Sequence, residues 1–239
     1  MISKAEIKRI AALRAKKQRS GSGLFVVEGE KMVAEALQSG FEVENVYRVE
    51  DIGEEAMSRI TMLSTPSPAL ALVRIPQAPS DADIDALIAR RPLCLALDAV
   101  RDPGNLGTIV RIADWFGIDA IFASSDTVEL YNPKTVQATM GAIFRRKVIY
   151  CYLPDVARKF AAAGMPVFGT FLDGNDIYSE TLGTEGLIVM GSESNGIGDA
   201  VAPLVTRRLY IPPYPRGAAG SESLNVAIAT AITCALFRK

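Results

Sequence analysis

The chain has 239 residues, room for one or two domains, and its 49% hydrophobic and 22% charged residues exclude wholesale disorder. A net charge of −1 gives no global pull toward nucleic acid, but residues 1–23 carry seven cations against one anion. Histidine is absent, which excludes Ser-His-Asp and Cys-His catalysis and every imidazole zinc site.

Residues 3–19 read as one helix with an Ile7, Ile10, Leu13 stripe and cations on the other faces. Lys8 and Arg9 interrupt the apolar residues, so no secretory core is expected. Leu24 to Val27 reads as a strand, Glu30 to Ser39 as a helix stopped by Gly40, and Val43 to Val49 as a strand. A short helix over Gly53–Arg59, a strand over Ile60–Leu63 and a strand over 70–75 complete a small α/β domain, 1–76. Residues 77–91, bracketed by Pro76, Pro79 and Pro92, suit a linker around a helix at Asp83–Arg90.

From residue 92 to 239 a second domain is expected. Leu93 to Leu97 is a continuous apolar run, as in a strand buried on both faces. A helix over Gly104–Phe116 follows, with Trp115 and Phe116 read as core. Strands at Ala120–Ala123, Val148–Tyr150, Pro166–Phe171, Leu187–Met190 and Leu209–Ile211 alternate with a helix at Asp155–Ala163, and a helix at 223–237 ends the chain. Such alternation implies a parallel sheet with helices on both faces. Cys94, Cys151 and Cys234 are scattered and odd in number, so a reducing, cytoplasmic setting is expected; no apolar run is long enough to span a membrane.

Ligands of a parallel sheet bind at the carboxyl ends of its strands. Three polar turns stand there, at 98–107, 191–198 and 211–225. None is a P-loop, since Gly196 is followed by Ile197 and Gly198, and none has the GxGxxG of a dinucleotide site. The missing GxGxxG speaks against a nucleotide-binding oxidoreductase.

The first turn contains Asn105-Leu-Gly-Thr-Ile-Val-Arg111 with Ala113-Asp114. The second contains Ile188-Val-Met-Gly-Ser-Glu193 with Gly196, and the third Ile211-Pro212 followed by Glu222-Ser-Leu-Asn-Val-Ala227. In this order they resemble the three motifs of the SpoU (TrmH) family in the SPOUT superfamily of RNA ribose 2′-O-methyltransferases. Phe25-Val-Val-Glu28-Gly29 and Thr65-Pro66 resemble the small RNA-binding domain that often precedes it.

The resemblance implies an α/β fold, a SPOUT-type parallel sheet with a C-terminal trefoil knot, preceded by a small α/β RNA-binding domain. It implies methyl transfer from S-adenosylmethionine, without a metal, to a ribose 2′-hydroxyl of structured rRNA or tRNA. It makes Arg111, Asn105, Glu193, Ser223 and Asn225 the active-site residues. Arg111 would act on the ribose hydroxyl, as base with help or as an orienting cation, because arginine alone stays protonated. Asn105 would position that arginine or the substrate, and Glu193 would pair with Arg111 or contact ribose. Ser223 is also an ordinary helix N-cap residue. Thr170, Gly191, Ile211 and Leu224 would enclose the cofactor, and the apolar 223–237 helix would pack in a homodimer or, alternatively, in a monomer's core.

RNA phosphates are expected at Lys4, Lys8, Arg9, Arg14, Lys16, Lys17 and Arg19, at Arg145 and Arg146, and at Arg101, which with Arg216 flanks the turns. The arm's helix would otherwise pack its apolar stripe on the first domain with its charges facing water. A non-catalytic RNA-binding protein keeping the scaffold is the competing function, against which the intact motifs speak.

Overall fold

The computed structural model describes residues 2–215 and 223–239, which form two compact units. The first holds α1 (Lys4–Ala12), α2 (Lys16–Ser22), β1 (Leu24–Glu28), α3 (Glu30–Gln38), β2 (Val43–Arg48), α4 (Val49–Ile52), α5 (Glu54–Ile60) and β3 (Ala69–Arg74). Its sheet is antiparallel in the order β1-β3-β2, with Leu24 opposite Arg74 and Tyr47 opposite Leu70. Ile7, Ile10 and Leu13 pack with Leu24, Val26, Met57, Ile60, Leu70 and Leu72 under it.

Two expectations fail here for identifiable reasons. The single 3–19 helix is two, because the chain turns at Leu13 and becomes extended at Ala15. Arg19 reaches back and donates to the carbonyls of Leu13 and Arg14 at 2.6 and 2.8 Å, capping groups that the break leaves free. The strand expected at Ile60–Leu63 is absent because Ile60 ends α5. The Thr61 hydroxyl and the Met62 N–H both go to the Glu28 carboxylate, at 2.5 and 2.6 Å, so this backbone joins no ladder.

The second unit contains α6 (Asp81–Ala89), β4 (Leu93–Leu97), α7 (Pro103–Trp115), β5 (Ile121–Ala123), β6 (Val148–Tyr150), α9 (Leu153–Ala162), β7 (Val167–Asp176), β8 (Gly186–Met190), β9 (Arg207–Tyr210) and α10 (Val226–Phe237); α8 (Pro133–Thr139) belongs to the first unit. Its six strands are all parallel in the order β6-β5-β4-β8-β7-β9. Every residue of β4 and β8 is buried, as expected of central parallel strands covered on both faces. Cys94, Ala96, Phe122, Phe160, Val167 and Val189 share one core with Ile84 and Ile88 of α6. Each large apolar side chain buried there contributes about 1.5–3 kcal/mol.

The chain leaves β4 toward β5 and leaves β8 toward β9, on the other side. β4 and β8 are neighbours, so their carboxyl ends open a crevice where the strand order reverses.

The sequence reading gave Glu129–Arg145 to the second domain, but by its contacts this stretch belongs to the first unit. Arg19 pairs with Glu129 at 2.6 Å, Arg145 with Glu35 at 2.7 Å, and the Tyr131 and Phe144 rings meet Phe25 and Phe41. Glu35 also lies where a Cβ on Gly141 would stand, 2.0 Å away, and Gly141 has φ +91°, so only glycine fits.

Trp115, expected in the core, is 84% exposed. The period of α7 turns Leu106, Ile109, Val110 and Ala113 inward and leaves Arg111 and Trp115, four residues apart, on the outer face. The last helix starts at Val226, and its N-cap is Asn225 rather than Ser223. Arg216 and Glu222 lie outside the described residues.

Candidate active site

The first turn is built by a Pro at the start of α7 and by Asp102, whose carboxylate accepts the Asn105 N–H at 2.8 Å. This cap sets Asn105 on the opening turn of the helix. The second turn follows β8: Ser192 and Gly196 exchange backbone hydrogen bonds at 3.1 and 3.0 Å. A Cβ on Gly191 would fall 2.1 Å from the Gly196 carbonyl carbon, so glycine is required there for the turn to close. The third turn delivers Asn225, whose Oδ1 accepts the N–H groups of Ala227 and Ile228 at 2.9 and 3.2 Å.

Asn105 joins all three. Its side-chain NH₂ donates to Glu193, and its Oδ1 accepts from the Asn225 Nδ2 at 2.9 Å. A bond to a carboxylate is stronger than a neutral one and fixes the rotamer of the amide. Glu193 therefore meets Asn105, and the expected Glu193–Arg111 pair is not formed.

Arg111 stands six residues further along α7, about 9 Å by helix rise, exposed and without a hydrogen-bond or ion-pair partner among the described residues. Ser223 is exposed as well.

Of the four residues expected at the cofactor, Gly191 and Ile211 follow β8 and β9, Thr170 lies within β7 and Leu224 stands just before α10. Thr170 lies on β7 with its hydroxyl 3.8 Å from the sulfur of Met190, the residue before Gly191. Ile211 follows β9, which pairs with β7, and Leu224 precedes the α10 cap. Leu224 is 46% exposed and Ile211 half-buried, so both offer apolar surface beside backbone polar groups. This combination suits a flat, apolar-faced adenine with polar edges. No group of His, Cys, Asp or Glu that could hold a metal occurs among the described residues.

The basic residues divide sharply. Arg19 is 2% exposed and held by Glu129, so it is structural and must leave the set expected to meet phosphate. Arg9 pairs with Glu6 and Glu44, Arg14 donates to the Thr61 carbonyl, and Arg146 is tied to Asp114 and to the Ile118 carbonyl. Lys4, Lys8, Lys16, Lys17 and Arg101 are exposed and have no ion-pair partner among the described residues.

One acid in this region escaped the sequence reading. Asp98, at the end of β4, accepts the Gly198 N–H at 2.8 Å. An acid directly after a buried strand was the available signal.

The model of the SpoU rRNA Methylase family matches residues 92–235. The chain belongs to this family. Residues 4–69 match the MRM3-like substrate binding domain. The 23S rRNA (guanosine(2553)-2′-O)-methyltransferase RlmP of Bacillus subtilis is 32% identical over 95% of this chain and 93% of its own. An AdoMet-bound rRNA methyltransferase from Sinorhizobium meliloti superposes with a TM-score of 0.87 at 30% identity, covering 100% of this chain and 96% of its own. A TrmH-family structure from Porphyromonas gingivalis gives the same score at 35% identity, over 100% and 98% of the two chains. The SpoU-family α/β fold with its parallel sheet is thereby established.

Proposed function

We propose that this SpoU-family chain transfers a methyl group from S-adenosylmethionine to a ribose 2′-hydroxyl of structured rRNA or tRNA. The observation that carries this reading is the Asn105 amide, which links the turns after β4 and β8 to the start of α10 at the switch point of the sheet. The B. subtilis relative named as a 2′-O-methyltransferase and the AdoMet-bound S. meliloti structure support it.

Thr170, Gly191, Ile211 and Leu224 hold the cofactor, which when bound supplies an electrophilic methyl group on its sulfonium. Arg111 orients the ribose 2′-hydroxyl through its guanidinium and stabilises negative charge that develops on the oxygen. The proton leaves that oxygen for a phosphate of the RNA or for the Glu193 carboxylate, since the chain has no histidine. Asn105 and Asn225 keep Glu193 in one place. Ser223, at the same turn, is a further substrate contact. Most of the rate comes from holding donor and acceptor in line.

The first unit takes the flanking RNA. Lys4, Lys8, Lys16 and Lys17 face solvent without ion-pair partners among the described residues, which suits phosphate contact. Arg9, Arg14, Arg101, Arg145 and Arg146 contribute only where RNA competes with their present partners or, for Arg101, directly.

The chain works as a cytoplasmic homodimer. Trp115, Leu224 and Ile228 are 84%, 46% and 53% exposed on α7 and around the start of α10, which pack on each other, and a second copy would cover them.

The test is incubation of the purified protein with methyl-labelled S-adenosylmethionine and total RNA, followed by alkaline hydrolysis. A ribose 2′-O-methyl group blocks cleavage, so the label should survive in alkali-stable dinucleotides. Label released with mononucleotides would mean base methylation instead.

A further inference from the structure

We infer that Asp98 is a positioning residue for methyl transfer, acting through the turn that carries Glu193. This rests on the active-site reading given above.

The Asp98 backbone N–H donates to the Met190 carbonyl at 2.9 Å, and its side-chain Oδ2 accepts the Gly198 N–H at 2.8 Å. Met190 and Gly198 bracket residues 191–197. One residue at the end of β4 therefore grips both ends of the turn that follows β8.

That turn is internally stiff. Besides the paired Ser192–Gly196 bonds, the Asn195 N–H donates to the Ser192 hydroxyl at 3.2 Å. A turn of this kind moves as one body, and the two bonds from Asp98 decide where its Glu193 stands. Glu193 in turn sets the Asn105 amide.

Asp98 is itself held in place. The next residue, Ala99, has φ +56°, a left-handed conformation rare for a residue with a side chain. Its N–H donates to the Ser124 hydroxyl at 2.9 Å. Thr127 donates to the Leu97 carbonyl at 3.1 Å and accepts the Val100 N–H at 3.3 Å. Backbone in this region persists where surrounding bonds over-determine it, and such places cluster at functional sites. The fit is close on the other side too, since a Cβ on Gly198 would come 3.2 Å from the Asp98 carboxylate.

The experiment compares wild type, Asp98→Asn, Asp98→Ala, Glu193→Ala and the Asp98→Ala/Glu193→Ala double variant. Steady-state methyl transfer, binding of labelled S-adenosylmethionine and thermal melting are measured for each. Asp98→Asn keeps an oxygen that can accept from Gly198 and should stay within about twofold of wild-type kcat. Asp98→Ala should lower kcat about 10- to 100-fold, the scale of a misplacement near 1 Å. It should also weaken cofactor binding, because the turn begins at Gly191.

If Asp98 acts through Glu193, the double variant should be no slower than Glu193→Ala by more than about twofold. Full additivity, wild-type turnover in Asp98→Ala, or an Asn variant as slow as the Ala variant would each overturn the inference. Should Asp98→Ala fail to fold, Asp98→Ser, too short to hold the same bond, takes its place with the same expectations. A Glu193→Ala variant with wild-type turnover would overturn the active-site reading itself. An impaired Glu193→Ala beside an unimpaired Asp98→Ala would overturn only the role of Asp98.

Discussion

The side-chain amide of Asn225 donates to the side-chain Oδ1 of Asn105 at 2.9 Å, joining the start of α10 to the start of α7 across 120 residues. Asn225 thus serves two structures at once. Its Oδ1 caps α10 while its Nδ2 completes the environment of Asn105.

These roles can be separated. Asn225→Ala should cost about 1 kcal/mol of stability through the lost cap, whereas Asn225→Ser keeps a capping oxygen and should cost only a few tenths. Neither side chain reaches Asn105, so both variants should lose methyl transfer to a similar degree, about 10-fold or more. Melting curves and initial rates give the answer. A serine variant that recovers rate together with stability would reduce Asn225 to a cap.

The Arg19–Glu129 pair is buried on the arginine side and holds the Glu129–Arg145 stretch in the first unit. Removing one member leaves the other without its partner, which costs about 3–5 kcal/mol in a buried setting. Glu129→Ala should therefore lower the unfolding midpoint strongly, and Arg19→Met with Glu129→Leu should cost less than Glu129→Ala alone. Urea unfolding followed by fluorescence measures this. A loss below 1 kcal/mol in Glu129→Ala would show that solvent reaches the pair.

Burial pushes the thiols of Cys94 and Cys234 up to about 12, and that of Cys151 up to about 11. The thiolate is the reactive form, so it is scarce for all three at pH 8. Native protein should react with Ellman's reagent far more slowly than unfolded protein, Cys151 ahead of the others. Prompt release of two or more equivalents from native protein would contradict this burial.

Much of the fold was readable in the sequence because continuous apolar runs such as 93–97 and 187–190 mark strands buried on both faces. The first two turns were readable because they end such strands, whereas the third follows the short, partly exposed β9 and was readable only from its own residues. Trp115 was misread because its type was weighed above its position four residues from Arg111. Arg19 was misread because charge on a helix normally faces water, and nothing local announces Glu129, 110 residues away. The Asn105–Glu193 and Asp98–Gly198 bonds span 88 and 100 residues. Such pairings are set by strand order, which spacing along the chain does not carry.

Ribose methylation that depends on Arg111 is the function proposed for this chain. The direct measurement is mass-spectrometric mapping of ribose methylation in total rRNA and tRNA from cells with the protein, without it, and with Arg111→Ala in its place. One or a few 2′-O-methyl groups should be present only with the wild-type protein, while purified Arg111→Ala should still bind labelled S-adenosylmethionine. Identical maps from all three cells would contradict it.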